Sequence, residues 1–115
     1  MYIKTLLITL LLVHAVLARL RCYKCNSSKG HTNCQSGSGV YNGTCPEPPQ
    51  DVGQTCLEYS ENVNGATKYV RKCAIVFWDW VDKKFIPVCS SMKKEGRDIL
   101  TCFTCTTDHC NGTHL

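Results

Sequence analysis

Hydrophobic positions fall along this chain in three different patterns, and each predicts a different kind of segment. The first is a run from Leu6 to Val13, broken only by Thr9 and preceded by Lys4. A positive start, a short apolar stretch and the small-residue segment Val16-Leu17-Ala18 predict a signal peptide over residues 1–18, cleaved after Ala18, with Ala15 as the alternative. The run is too short for a membrane span, which needs roughly 20 residues.

The second pattern is alternation around a turn. Thr55–Ser60 and Thr67–Cys73 are strand-like, and Asn64-Gly65 between them is the strongest short hairpin signal in the chain. If those two residues form the turn, Glu61 lies opposite Lys68 and Glu58 opposite Arg71, two opposite-charge cross-strand pairs. The same register sets Cys56 level with Cys73, from where each can reach a different neighbouring strand.

The third pattern is Ala74–Val81, the most apolar stretch after the leader. Its alternation puts Val76, Trp78 and Trp80 on one side and Phe77, Asp79 and Val81 on the other. A turn is expected at Asp82-Lys83-Lys84, then Phe85–Val88. Around these segments, Arg21–Cys25 reads as a short strand with Tyr23 a packing residue. Asn26–Gly43 reads as loop with one brief strand near Val40 and Tyr41. Cys45-Pro46-Glu47-Pro48-Pro49 resists regular pairing, because proline lacks the ladder donor, and reads as a crossing between two hairpins. Cys89–Cys102 reads as a further hairpin with a polar tip at Lys93–Arg97 and a return through Asp98–Thr101. No helix of ordinary length is expected.

Composition then changes the picture. All ten cysteines lie in residues 19–115, read as one small domain. A secreted chain with so much cysteine is a disulfide scaffold. Each bridge typically contributes about 2–4 kcal/mol, so five rival the roughly 5–15 kcal/mol net stability of an ordinary domain. Count alone leaves the pairing open, since ten cysteines allow roughly 945 connectivities. With Lys4 set aside, twelve Lys and Arg face nine Asp and Glu, a scattered net of +3 that excludes a dedicated nucleic-acid surface.

Cys22-Tyr23-Lys24-Cys25 at one end and Cys102-Phe103-Thr104-Cys105-Thr106-Thr107-Asp108-His109-Cys110-Asn111 at the other carry a family resemblance. Together with Tyr69-Val70-Arg71-Lys72-Cys73, they resemble the three-finger superfamily of lymphocyte-antigen and urokinase-receptor domains, in its ten-cysteine version. The nearest likeness is to insect single-domain members of the Sleepless (quiver) kind. The resemblance spans the whole of 19–115. It implies a small disulfide-rich all-β three-finger fold with five disulfides: Cys22–Cys56, Cys25–Cys34, Cys45–Cys73, Cys89–Cys102 and Cys105–Cys110. It also implies that Asn111 hydrogen-bonds the first strand and closes the palm. Many insect relatives end in a lipid-anchor signal. Only Asn-Gly-Thr-His-Leu follows Cys110 here, so a freely secreted extracellular monomer without membrane anchor is expected. Receptor-blocking snake toxins carry basic second-finger tips; the tip here, Glu61–Ala66, is not basic.

Sharper chemistry is weighed against plainer readings. Cys22, Cys25, Cys102, Cys105, His31 and His109 could be imagined around zinc, but a leader and an even cysteine count favour bridges. No nucleophile, base and orienting group occur together as catalysis requires, and oxidised cysteines are not thiolates. Neither enzyme activity nor a cofactor is expected. Three glycosylation sequons start at Asn26, Asn42 and Asn111; the first two lie in loops and are the candidates for glycans. Phe77, Trp78 and Trp80 are the candidate partner-binding residues, because exposed aromatics anchor interfaces; alternatively they pack the connector onto the palm. The expected function is a non-catalytic binding protein acting on the extracellular part of a membrane receptor or ion channel, or on an adhesion complex. The alternative is an extracellular-assembly protein that self-associates or contacts matrix.

Overall fold

The computed structural model describes residues 19–30, 33–37, 41–48, 52–113 and 115. The expected leader, His31, Val40 and Pro49 lie outside them, as does the side chain of Asn42. The described strands are β1 (Arg21–Asn26), β2 (Tyr41–Thr44), β3 (Val52–Val63), β4 (Ala66–Asp79), β5 (Lys84–Phe85) and β6 (Ile99–Cys105), with one helix, α1 (Val88–Lys94). Every pairing is antiparallel, in the order β2-β1-β4-β3-β6, and β5 joins the far end of β4.

The β3–β4 ribbon forms where alternation and Asn64-Gly65 predict it. Both turn residues have positive φ, 53° and 84°, the conformation a two-residue hairpin turn needs and that Asn and Gly tolerate best. The rungs Cys56↔Cys73, Glu58↔Arg71 and Glu61↔Lys68 all form. Of the two expected charge pairs, Glu58–Arg71 forms and Glu61–Lys68 gives way to another partner. Arg71 and Glu58 are buried together, while the Glu61 carboxylate is held by Arg97 of the third finger.

Two expectations need correction. Ala74–Asp79 is not a connector but the continuation of β4, laddered back to Val52↔Phe77. The chain reverses over residues 80–83, ahead of the expected Asp82–Lys84 turn, because Asp79 Oδ1 accepts from the amides of Val81 and Asp82 (2.9 and 3.2 Å). Lys83 closes the turn with a φ of 52°. Gly53 makes this extension possible. A Cβ there would sit 2.9 Å from Val76 Cγ2 and 3.2 Å from the Phe85 ring.

The second correction concerns the third finger, which is a helix followed by a strand rather than a hairpin. Pro87, at φ −62°, precedes α1, and Gly96, at φ 79°, lies just beyond it. Cys89 and Met92 stand three apart, hence on one helix face. That face buries Met92 against Leu57, Tyr59 and Val70 while Cys89 bridges Cys102. A helix supplies this plug on its own; a strand would need a partner, and β3 already has one on each side.

The core has two parts. One is the Leu57–Tyr59–Val70–Met92 cluster beneath α1. The other is largely sulfur, with Cys22, Cys45 and Cys56 buried amid Cys73, Cys105, Cys110 and Leu20. The bridges are Cys22–Cys56, Cys25–Cys34, Cys45–Cys73, Cys89–Cys102 and Cys105–Cys110, leaving no free thiol.

Candidate functional site

The palm holds the strands rigidly by polar bonds as well as sulfur. Arg71 is 1% exposed and Glu58 fully buried. The Arg71 guanidinium donates to the Glu58 carboxylate, to the carbonyls of Cys34 and Gln35 (3.0 Å each) and to that of Asn111 (2.8 Å). Burial lowers the Arg71 pKa, and the Glu58 charge opposes that shift. One side chain thereby ties β3, β4, the 33–37 loop and the C-terminal segment together. Asn111 accepts from the Tyr23 amide (2.9 Å) and donates to the carbonyls of Tyr23 and Leu57 (3.0 Å each).

A second clamp aligns the third finger with the second. Arg97 Nε and Nη2 donate to the two Glu61 carboxylate oxygens at 2.9 and 2.7 Å, and Nη2 also donates to the Tyr59 hydroxyl at 3.2 Å. The guanidinium carbon lies 5.4 Å from the centre of the Tyr59 ring, within cation–π range. The hydrogen bond from Arg97 holds the Glu61 pKa below its ordinary 4.5, burial opposing and the fields of Arg97 and Lys68 assisting. A depressed folded-state pKa means the pair's contribution is full above 4.5 and disappears as pH falls through the lowered folded value. Acid denaturation of Glu61→Gln should therefore converge on that of the parent below this window. Above it the variant should be about 1 kcal/mol less stable. A pH-independent difference would contradict the assignment.

The candidate contact surface lies at the opposite end of the ribbon from Asn64-Gly65. Trp78 is stacked edge-on against Phe85 (centroids 5.0 Å) and Trp80 (6.2 Å). With Val52 they line an open cleft of about 320 Å³. Trp80 is 72% exposed, Val81 89% and Phe77 57%. Trp78 and Trp80 thus come together as sequence alternation places them. Phe77 does not join them, since successive strand residues face opposite ways; it shares the other face with exposed Ile75. Packing of these aromatics onto the palm is not what the structure shows. Sequence reasoning left Phe85 and Ile86 out of the surface. The signal for them was the short reversal that returns the chain beneath Trp78.

Two groups of three sulfurs, Cys22–Cys45–Cys73 and Cys56–Cys105–Cys110, lie close enough to share an ion. Each sulfur is bridged, and a bridged sulfur is not a thiolate ligand. His109 packs against Tyr23 (5.2 Å). No helix among the described residues is long and apolar enough to cross a membrane.

The described fold, with its disulfide palm and its Asn111 clasp on the first strand, agrees with comparison against known families. The sequence model of the Quiver family u-PAR/Ly-6-like domain matches residues 20–111. Comparison with curated proteins found no match, and comparison with solved structures found none. Domains of the u-PAR/Ly-6 type are extracellular or membrane-surface binding domains without enzymatic activity. With the match covering all but the ends of the chain, and with the small all-β, five-disulfide fold in place, this protein belongs to the Quiver family of u-PAR/Ly-6-like domains.

Proposed function

We propose that this chain is a secreted, non-catalytic three-finger protein that modulates the extracellular part of a membrane receptor or ion channel, or of an adhesion complex. A leader over residues 1–18 and a single domain over 19–115, glycosylated at Asn26 and Asn42, go with this reading. The observation that carries it is the exposed aromatic end. Phe77 and Trp80 are exposed at the end of a disulfide-locked ribbon, with Trp78 half-buried between Trp80 and Phe85, and exposed apolar surface on a domain marks an interaction site. Rigidity matters because a preorganised surface loses little freedom on binding. The Asn26 sequon is set in a tight turn, its Oδ1 accepting from the Ser28 amide and hydroxyl at 3.0 and 2.7 Å.

The test is proximity capture. Disulfide-intact protein is cross-linked to intact cells, and its neighbours are compared with those of the Trp78→Ala/Trp80→Ala variant. Enrichment of one receptor, channel or junction protein, lost in the variant, is the expected result. Recovery of the chain itself or of matrix alone would replace this reading with extracellular assembly. That second reading rests on β6, which among the described residues is paired only with β3 and exposes Leu100; such edges recruit further strands. Concentration-dependent sedimentation of the wild-type protein would favour it.

A further inference from the structure

The proposed contact surface has a shape that restricts what can cover it. Beyond the Cys56↔Cys73 rung the ribbon narrows to two strands, β4 pairing first with β3 as far as Val52↔Phe77 and then with β5 at Trp78↔Phe85 and Asp79↔Lys84. Its apolar groups are not confined to one face. Trp78, Trp80 and Phe85 occupy one side, Ile75 and Phe77 point to the other, and Val81 caps the tip at 89% exposure. A protein partner presenting one complementary face would cover one side and leave the rest in water. A medium that surrounds the tip would cover all of it.

The polar groups of the hairpin are equally specific. Asp79 spends Oδ1 on two backbone amides of the turn, which satisfies donors that would otherwise face outward. Asp82, Lys83 and Lys84 follow, all exposed, and the two lysines leave these three residues net positive. Aromatic rings with amphipathic edges and flanking lysines, whose stems run along apolar surface while their ammonium groups reach outward, match the layered chemistry of a phospholipid interface. The rings suit the acyl–headgroup boundary and the ammonium groups suit the phosphates.

We propose that the β4–β5 hairpin is a membrane-interface wedge, inserting Phe77, Trp78, Trp80, Val81 and Phe85 into the outer leaflet with Lys83 and Lys84 on lipid phosphates. The inference rests on the modulator reading and deepens it: the aromatic end holds the protein on the bilayer around its target, so that Trp78→Ala/Trp80→Ala loses the captured target by losing the membrane. The Asn64-Gly65 tip lies eleven rungs from Val52↔Phe77, so it would stand roughly 35 Å away along the ribbon at about 3.3 Å per residue. That leaves the fingers free to meet an ectodomain.

The chain has two tryptophans, and both lie in this hairpin, so intrinsic fluorescence reports the site alone. Titrating the disulfide-intact protein with phosphatidylcholine–phosphatidylserine vesicles should shift the emission to the blue, and brominated lipid should quench it. Val81→Asp keeps both tryptophans, and Trp80→Ser keeps Trp78 as reporter; each replaces a mostly exposed side chain, so folding should be retained, as checked by thermal unfolding. Each should weaken vesicle partitioning by about tenfold or more. Lys83→Glu/Lys84→Glu should weaken binding to vesicles containing phosphatidylserine more than to pure phosphatidylcholine. Absence of shift and quenching overturns the wedge, as does partitioning unchanged in Val81→Asp. A blue shift that grows with protein concentration without lipid also overturns it, in favour of a second copy. Cell-surface capture of a protein that persists when vesicles fail to bind removes the wedge and leaves the modulator reading standing. Vesicle binding without any captured protein does the reverse.

Discussion

Arg71→Met is expected to lower the free energy of unfolding by about 3–5 kcal/mol, a large part of the roughly 5–15 kcal/mol that a domain ordinarily has. The loss follows from what the guanidinium serves. It neutralises a carboxylate that is completely buried, and it satisfies the carbonyls of Cys34, Gln35 and Asn111 in the same enclosed space. Methionine fills similar volume but leaves Glu58 without its cation and three acceptors without this donor. Arg71→Lys should recover only a part, because an ammonium has no planar fork to reach three directions at once. Glu58→Leu/Arg71→Met should be more stable than Arg71→Met alone, since the stranded charge is then gone, although the three carbonyls stay unserved. Urea denaturation of the disulfide-intact parent and these three variants measures the differences. An unfolding free energy for Arg71→Met within about 1 kcal/mol of the parent would show that the bridges alone hold the palm.

The second large effect is expected at Asn111, where both ends of the side-chain amide are committed. Its oxygen receives the Tyr23 amide and its nitrogen serves two carbonyls, one on each of β1 and β3. Asn111→Ala should cost about 2–4 kcal/mol, the range for stranding several buried partners. Asn111→Asp should be at least as damaging, because a carboxylate would confront the carbonyls of Tyr23 and Leu57 with no hydrogen to offer. The geometry also bears on glycosylation. Asn111 begins a sequon, yet it is fully buried and both amide hydrogens are in use. A glycan on that nitrogen is incompatible with the closed palm. Site-specific mass spectrometry of folded, exported protein should find Asn111 unoccupied; full occupancy in a protein that still shows native unfolding would refute this account of the clasp.

These effects were only partly legible beforehand. The Glu58–Arg71 rung is readable from the Asn64-Gly65 turn, because a two-residue turn fixes register along the whole ribbon. That the pair is buried is not readable. Burial comes from the 33–37 loop and the C-terminal segment folding over that face, contacts between positions as far apart as Arg71 and Asn111. The same limit explains Glu61. Its rung partner is Lys68, but Arg97 arrives from another finger with a bidentate geometry that lysine cannot match. Helix α1 was missed for a different reason. Seven residues carry a weak periodic signal, and the Val88, Cys89 and Met92 spacing is outweighed by the neighbouring strands until Met92 has a core to enter.

The sequence by itself determined the class of molecule: a cysteine scaffold too rich in bridges to need a large core, a Gly-turned central ribbon with its register, and an aromatic stretch whose alternation sets Trp78 beside Trp80. These are local or periodic properties, encoded within a few residues of where they act. Tertiary structure alone decided that the aromatic stretch continues β4 on the ladder with β3, that Gly53 and Phe85 support it, and that Arg71 shares the palm with the Asn111 clasp that the family resemblance implies. Each depends on segments distant in sequence meeting in space, and no window of neighbouring residues records which segments those will be.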